Sequence, residues 1–159
     1  MKIWQKGLSV AVGVAACAGG HPAKAQLPRL VPPVEVSAGA FTTTGGNDDS
    51  GFAARATVAV SLPTTSYGVA ASAWYLDGKH GNATALTGEF RKRFGPLSVG
   101  YWALGGGVGN SSDRGPLRDG ALWTLGIGAT LAGLSVEGRV LSSFKGGDTG
   151  LMGLVGYRF

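Results

Sequence analysis

From Val34 to the last residue, apolar side chains alternate with small or polar ones along eight runs, approximately 34–43, 51–62, 67–76, 84–94, 97–106, 121–131, 134–142 and 151–159. A period of two places successive side chains on opposite faces of a β-strand. In the second run Phe52, Ala54, Ala56, Val58, Val60 and Leu62 share one wholly apolar face, while Ala53, Arg55, Thr57, Ala59 and Ser61 share the other. The sixth run sets Ala121, Trp123, Leu125, Ile127, Ala129 and Leu131 against Leu122, Thr124, Gly126, Gly128 and Thr130, and the first and eighth repeat the pattern. Each run is close to the roughly 9–11 residues that a tilted strand needs to cross the hydrocarbon of a bilayer. No segment carries convincing helical periodicity.

The connections segregate by length. Segments 44–50, 77–83, 107–120 and 143–150 are long and rich in Gly, Asn, Asp and Ser, whereas 63–66, 95–96 and 132–133 are tight turns. A soluble meander has no reason to sort its loops by parity. A transmembrane barrel does, with short turns on the periplasmic side and longer loops outside. The predicted fold is therefore all-β: an eight-stranded antiparallel up-and-down transmembrane barrel over 34–159, with both termini periplasmic, behind a Pro-rich lead-in at 26–33.

The polar face identifies what lies on each side of the sheet. A surface facing water carries Lys, Glu, Gln and Thr. Here it carries Gly, Ala, Ser and Thr with isolated long charges, the mixture that fills the narrow interior of an eight-stranded barrel. Eight charges fall inward in this phase: Glu35, Glu89 and Glu137 against Arg55, Arg91, Arg93, Arg139 and Arg158, a surplus of two positive charges. In so confined a space they are expected to form an ion-pair and hydrogen-bond network. A slip of one residue would turn them into lipid, so the register is strongly specified. Lys92 is the one outward strand charge, placed near a strand end where its stem can reach the headgroups. Outward aromatics gather as two interfacial girdles, with Tyr67, Phe94, Tyr157 and Phe159 at the periplasmic side and Phe52, Tyr75 and Trp123 at the outer side. Trp74 and Trp102 are predicted inward, where they either plug the lumen or mark a β-bulge.

The first 25 residues differ in kind. Lys2 and Lys6 precede the apolar stretch Leu8 to Ala18, and Ala23-Lys24-Ala25 supplies a small-x-small site, so a secretory signal peptide cleaved between Ala25 and Gln26 is expected. The alternative is lipidation of Cys17, which follows Val14-Ala15-Ala16. Cleavage after Ala25 removes three of the 14 basic residues, leaving 11 against 9 acidic ones, and takes Cys17 and His21 with it. One His, His80, and no Cys remain, which excludes a disulfide framework, a thiol nucleophile and a Cys/His zinc site. No cofactor is implied, and so small a positive charge gives no footprint for nucleic acid.

Candidate chemistry in the remainder is thin. A serine enzyme would use His80 with Ser111, Ser112 and Asp113, but an activated Ser needs a base within hydrogen-bond reach and a third group to orient that base, and no motif spells this out. A lipid A-modifying enzyme is thus the second reading. The first is a non-enzymatic role in envelope integrity, adhesion or host contact through the long loops. Gly105-Gly106-Gly107-Val108-Gly109 lacks the Gly-Lys-Ser/Thr of a phosphate loop and reads as a flexible passage from strand to loop. Asp48-Asp49 lacks calcium-loop spacing and reads as a solvated turn. A filled lumen leaves no open channel, and a soluble ligand-binding barrel would need the reverse pattern, charged outside and apolar within. The four long loops hold six Asp against Lys79, Arg114, Arg118 and Lys145, and segment 107–120 is expected to present the largest exposed surface.

The last residues, Leu151-Met152-Gly153-Leu154-Val155-Gly156-Tyr157-Arg158-Phe159, alternate and end on Phe with Tyr two before it. This resembles the terminal-strand assembly signal of bacterial outer-membrane proteins, with Leu154 where Gly is frequent. The chain after the signal segment resembles the small eight-stranded outer-membrane barrels of the OmpX and OmpA-transmembrane-domain type. The resemblance implies the outer membrane of a Gram-negative bacterium, contact with its lipid and lipopolysaccharide, and insertion by the barrel-assembly machinery acting on Val155, Tyr157 and Phe159. It also implies a monomer whose loops are free to meet an extracellular ligand.

Overall fold

The computed structural model describes residues 32–45, 48–112, 115–145 and 149–159. The expected signal segment, with Cys17, Ala25 and Gln26, and the lead-in as far as residue 31 lie outside the described residues. Eight strands follow in order: β1 (Val34–Thr44), β2 (Ser50–Ser61), β3 (Tyr67–Gly78), β4 (Asn82–Phe94), β5 (Gly100–Ser111), β6 (Gly120–Leu131), β7 (Leu134–Ser143) and β8 (Thr149–Arg158). Each pairs antiparallel with the next, and β8 returns to β1 from Glu35↔Arg158 to Thr44↔Thr149, which closes the barrel. Closure pairs every strand on both sides, so no edge is left to seek another chain.

The short connections lie together at one end. Ala132 and Gly133 both have positive φ, 50° and 86°, the two-residue turn whose twist matches that of the strands it joins. β4 to β5 is longer than the expected 95–96: Gly95, at φ 81°, leads into a 3₁₀ turn at Pro96–Ser98, and β5 starts only at Gly100. That strand also departs from expectation at its far end, running to Ser111 rather than 106. The glycine-rich stretch Gly105–Gly109 is thus ladder and not passage, paired without a break from Phe94↔Gly100 to Ala83↔Ser111 on one side and with β6 on the other. Glycine suits this strand because its neighbours crowd it: a Cβ at Gly107 would run into the carbonyl of Leu86. The third long connection shrinks accordingly to 112–119.

The alternation sorts the side chains as the period requires. Outward residues along the strands are large and uncovered, among them Val36, Leu86, Ile127, Leu131, Val136 and Val155, all between 51% and 66% exposed. Inward residues are buried, and the lumen is layered. Towards the long-loop end it is an apolar plug of Phe41, Leu76, Leu122, Leu141 and Met152, capped by Leu117 from the third long loop. Below this the hydroxyls of Thr57, Ser72, Thr87 and Thr124 are interleaved with the charges.

Candidate functional site

The charge layer is built by inward positions of four strands. Arg55 on β2 reaches across the lumen to Glu137 on β7, Nη1 to Oε1 at 3.0 Å and Nη2 to Oε2 at 2.7 Å. The same Nη2 donates to Glu35 on β1 at 2.9 Å, and Nε donates to Ser37 Oγ at 3.1 Å. Arg139 on β7 clamps Glu89 on β4, Nη1 to Oε1 at 2.7 Å and Nη2 to Oε2 at 3.1 Å, and its Nε also donates to Glu137. Arg91 completes the set on Glu89 at 3.2 Å and lies 3.9 Å from Glu35. Three guanidiniums and three carboxylates thus neutralise one another, each at most 8% exposed. Buried ions of this kind persist only when their remaining donors and acceptors are also met. Here Ser72 and Thr87 donate to Glu89, Ser135 to Glu35, and Tyr101 to Glu137 at 2.5 Å.

Aromatic rings and glycines shape the space. Trp74 is inward, 3% exposed, with its Nε1 donating to Thr87 Oγ1 at 3.0 Å. The guanidiniums of Arg55 and Arg139 lie 5.1 and 5.2 Å from its ring centre, close enough for cation–π attraction in a site shielded from water. Trp102 corrects the expectation: it points outward, packing on Phe90 with ring centres 6.1 Å apart, and its neighbour Tyr101 takes the lumen position. No bulge is involved, since the β4–β5 register is continuous. Gly126 and Gly128 provide the room: a Cβ at the first would sit 2.7 Å from Glu137 Oε1, and at the second 2.8 Å from the Tyr101 hydroxyl.

Arg93 and Arg158 do not join this network. Both are half-buried at the short-turn end, and neither is ion-paired among the described residues, although Arg158 stands opposite Glu35 in the β1–β8 register. Lys92 lies outside, its Nζ 5.5 Å from the Tyr67 ring centre. Tyr67, Phe94, Tyr157 and Phe159 are exposed around that same end, with Val155 on the same outward row of β8. Phe52 and Tyr75 are exposed near the other end, where Trp123 is half-covered.

At the long-loop rim, the candidate enzyme residues address different partners, and Asp113 lies outside the described residues. His80 Nδ1 is 3.6 Å from Asp49 Oδ1, and that buried carboxylate also accepts the backbone N–H groups of Ser50 and Lys79 at 2.8 Å each. Ser111 and Ser112 instead direct their hydroxyls to the carbonyl of Asn82, at 3.3 and 3.2 Å. The third long loop is not the broad exposed surface expected: Gly115, Pro116 and Leu117 are buried, leaving Ser112, Arg118 and Asp119 outermost among its described residues. Asp48 is exposed and Asp49 buried, so the two do not form one ligand set, and no cluster of three or more His, Cys, Asp or Glu fit for a metal occurs among the described residues.

No family model matches the sequence, and no curated protein does. Among solved structures, the barrel is similar to a de novo designed transmembrane β-barrel, with a TM-score of 0.60 and 11% identity over 80% of this chain and 96% of that one. It is similar to Neisserial surface protein A, NspA, with a TM-score of 0.57 and 12% identity over 80% and 96%. It is also similar to the outer-membrane enzyme PagL, with a TM-score of 0.51 and 18% identity over 79% and 98%. Likeness at these identities is likeness of fold, and it agrees with the outward apolar surface and the sealed charges. The chain therefore has the fold of the small eight-stranded transmembrane β-barrels, the group its sequence resembles.

Proposed function

We propose that this chain is exported by cleavage between Ala25 and Gln26, is inserted into the outer membrane of a Gram-negative bacterium through its terminal strand, and acts there as a monomeric structural or surface-interaction protein. The observation that carries the reading is the division of the barrel wall. Its strands turn Val, Leu, Ile and aromatic side chains outward and hold three Arg and three Glu within. In water that exposed surface would drive aggregation, whereas in lipid it is the matching face. The short-turn end faces the periplasm in this reading, and the long loops face outward, where contact with lipopolysaccharide, envelope partners or a host surface is made.

A plugged lumen supports a role other than conduction. Phe41, Leu117 and Trp74 fill the outer half and the ion pairs fill the middle. His80 is directed at Asp49 while the hydroxyls of Ser111 and Ser112 both address Asn82, which supports a non-enzymatic role. The test is to refold the chain from Gln26 in detergent, compare boiled with unboiled samples on a denaturing gel, and fractionate membranes of expressing cells. A folded barrel migrates differently when boiled and is recovered with the outer membrane. Equal mobility and a soluble periplasmic pool would overturn the reading.

A further inference from the structure

The lumen charges do not balance at the short-turn end. Three Arg and three Glu cancel in the middle layer, which leaves Arg93 and Arg158 as the whole surplus, and both line one cavity of about 140 Å³ at that mouth. Among the described residues Glu35 is the only carboxylate on its wall, and its oxygens are already engaged by Arg55, Ser135 and Arg91. The Nε of Arg158 is buried without a hydrogen-bond partner. Leaving a buried charged donor unmet is costly, so such a group is a demand for an acceptor. Thr130 and Ser98 line the same wall, and their hydroxyls make no hydrogen bond among the described residues.

We propose that this mouth is a binding site for a phosphate-type oxyanion, held between Arg93 and Arg158. Guanidinium forks match the oxygen spacing of phosphate, and two like charges on one cavity, unpaired among the described residues, are relieved by an anion. Donors from opposite sides of the cavity, Arg93 on β4 and Arg158 on β8, with the Thr130 and Ser98 hydroxyls between, suit a tetrahedral group better than a flat carboxylate. The oxyanion has two sources, a free phosphate or the headgroup of a phospholipid. Leu97, 93% exposed and lining the same cavity, gives an acyl chain an apolar surface to follow.

Calorimetric titration of the refolded barrel tests the site with two probes, inorganic phosphate and dihexanoyl phosphatidic acid. The expected result is saturable binding of at least one probe, weakened about tenfold by Arg93→Gln or Arg158→Gln, abolished in the double variant, and unchanged by Arg118→Gln in an outer loop. Binding of both probes identifies the free anion as sufficient, and binding of the lipid alone identifies the headgroup as the source. Absence of saturable binding by either probe overturns the proposal. So does wild-type affinity in the single variants, whose folded state is verified by the boiled-against-unboiled gel.

Discussion

Arg55 on β2 and Glu137 on β7 are 82 residues apart in the chain and belong to strands that do not pair, yet they meet across the lumen through two hydrogen bonds of 3.0 and 2.7 Å. The ladder alone ties each strand only to its neighbours. This strut ties opposite walls, and the Arg139–Glu89 clamp does the same between β7 and β4.

Removing one member of the strut strands its partners. Arg55→Leu leaves Glu35 and Glu137 short of a counter-charge, and the expected loss is about 3–5 kcal/mol of unfolding free energy. The double change Arg55→Met with Glu137→Leu costs less than the sum of the two single changes, by about 1–3 kcal/mol of coupling. Urea unfolding of the barrel in lipid vesicles checks both, and strict additivity would count against the strut.

Glycines differ by face. A side chain at Gly126 meets Glu137 and Arg139 within 3.0 Å, whereas one at Gly138 or Gly153 meets nothing within 4 Å. Gly126→Val is expected to cost about 1–3 kcal/mol through overpacking, and Gly138→Ala to leave stability unchanged or raise it by about 0.5 kcal/mol. The same urea assay separates the two. Equal effects would show that the lumen has slack where the geometry shows contact.

Embedding in lipid makes outward charge costly by depth. Leu125 is 46% exposed at mid-strand and Leu134 is 58% exposed beside a short turn. Leu125→Arg is expected to destabilise the barrel in bilayers by about 2–4 kcal/mol and Leu134→Arg by about 0–1. A protein whose outer wall faced water would show neither penalty nor a gradient.

The loop rim makes a chemical prediction. Because His80 addresses Asp49 while Ser111 and Ser112 address Asn82, expression of the chain should leave the acylation pattern of lipid A unaltered by mass spectrometry. A new lipid A species that disappears with His80→Ala would replace the structural reading with the enzymatic one.

Why some of this was legible in the sequence is clearest from β2 and β5. β2 carries Arg55 and Thr57 on one face and Phe52, Val58 and Val60 on the other, so its phase is fixed by the cost of turning a charge into lipid. β5 has five glycines in twelve residues and no charge, so neither phase is penalised locally. Its orientation follows from what surrounds it: the Tyr101 hydroxyl finds Glu137 inside, Trp102 finds Phe90 outside, and the neighbouring ladders hold the strand to Ser111. Tyr101 carried no signal of its own, since its role exists only where Gly128 leaves room for its ring.

By itself, then, the alternation of side chains determined the number of strands and, on the strands that carry charge, which faces look outward and which charges share the interior, because a period of two and the cost of charge in lipid act residue by residue. Tertiary structure alone decided how those charges are partnered. Closing the barrel brings β2 opposite β7 and β4 opposite β7, and those distances exist only after closure. It also seats Leu117 over the apolar plug and leaves Arg93 and Arg158 facing one cavity without a carboxylate to spare, because the three glutamates are engaged with Arg55, Arg91 and Arg139.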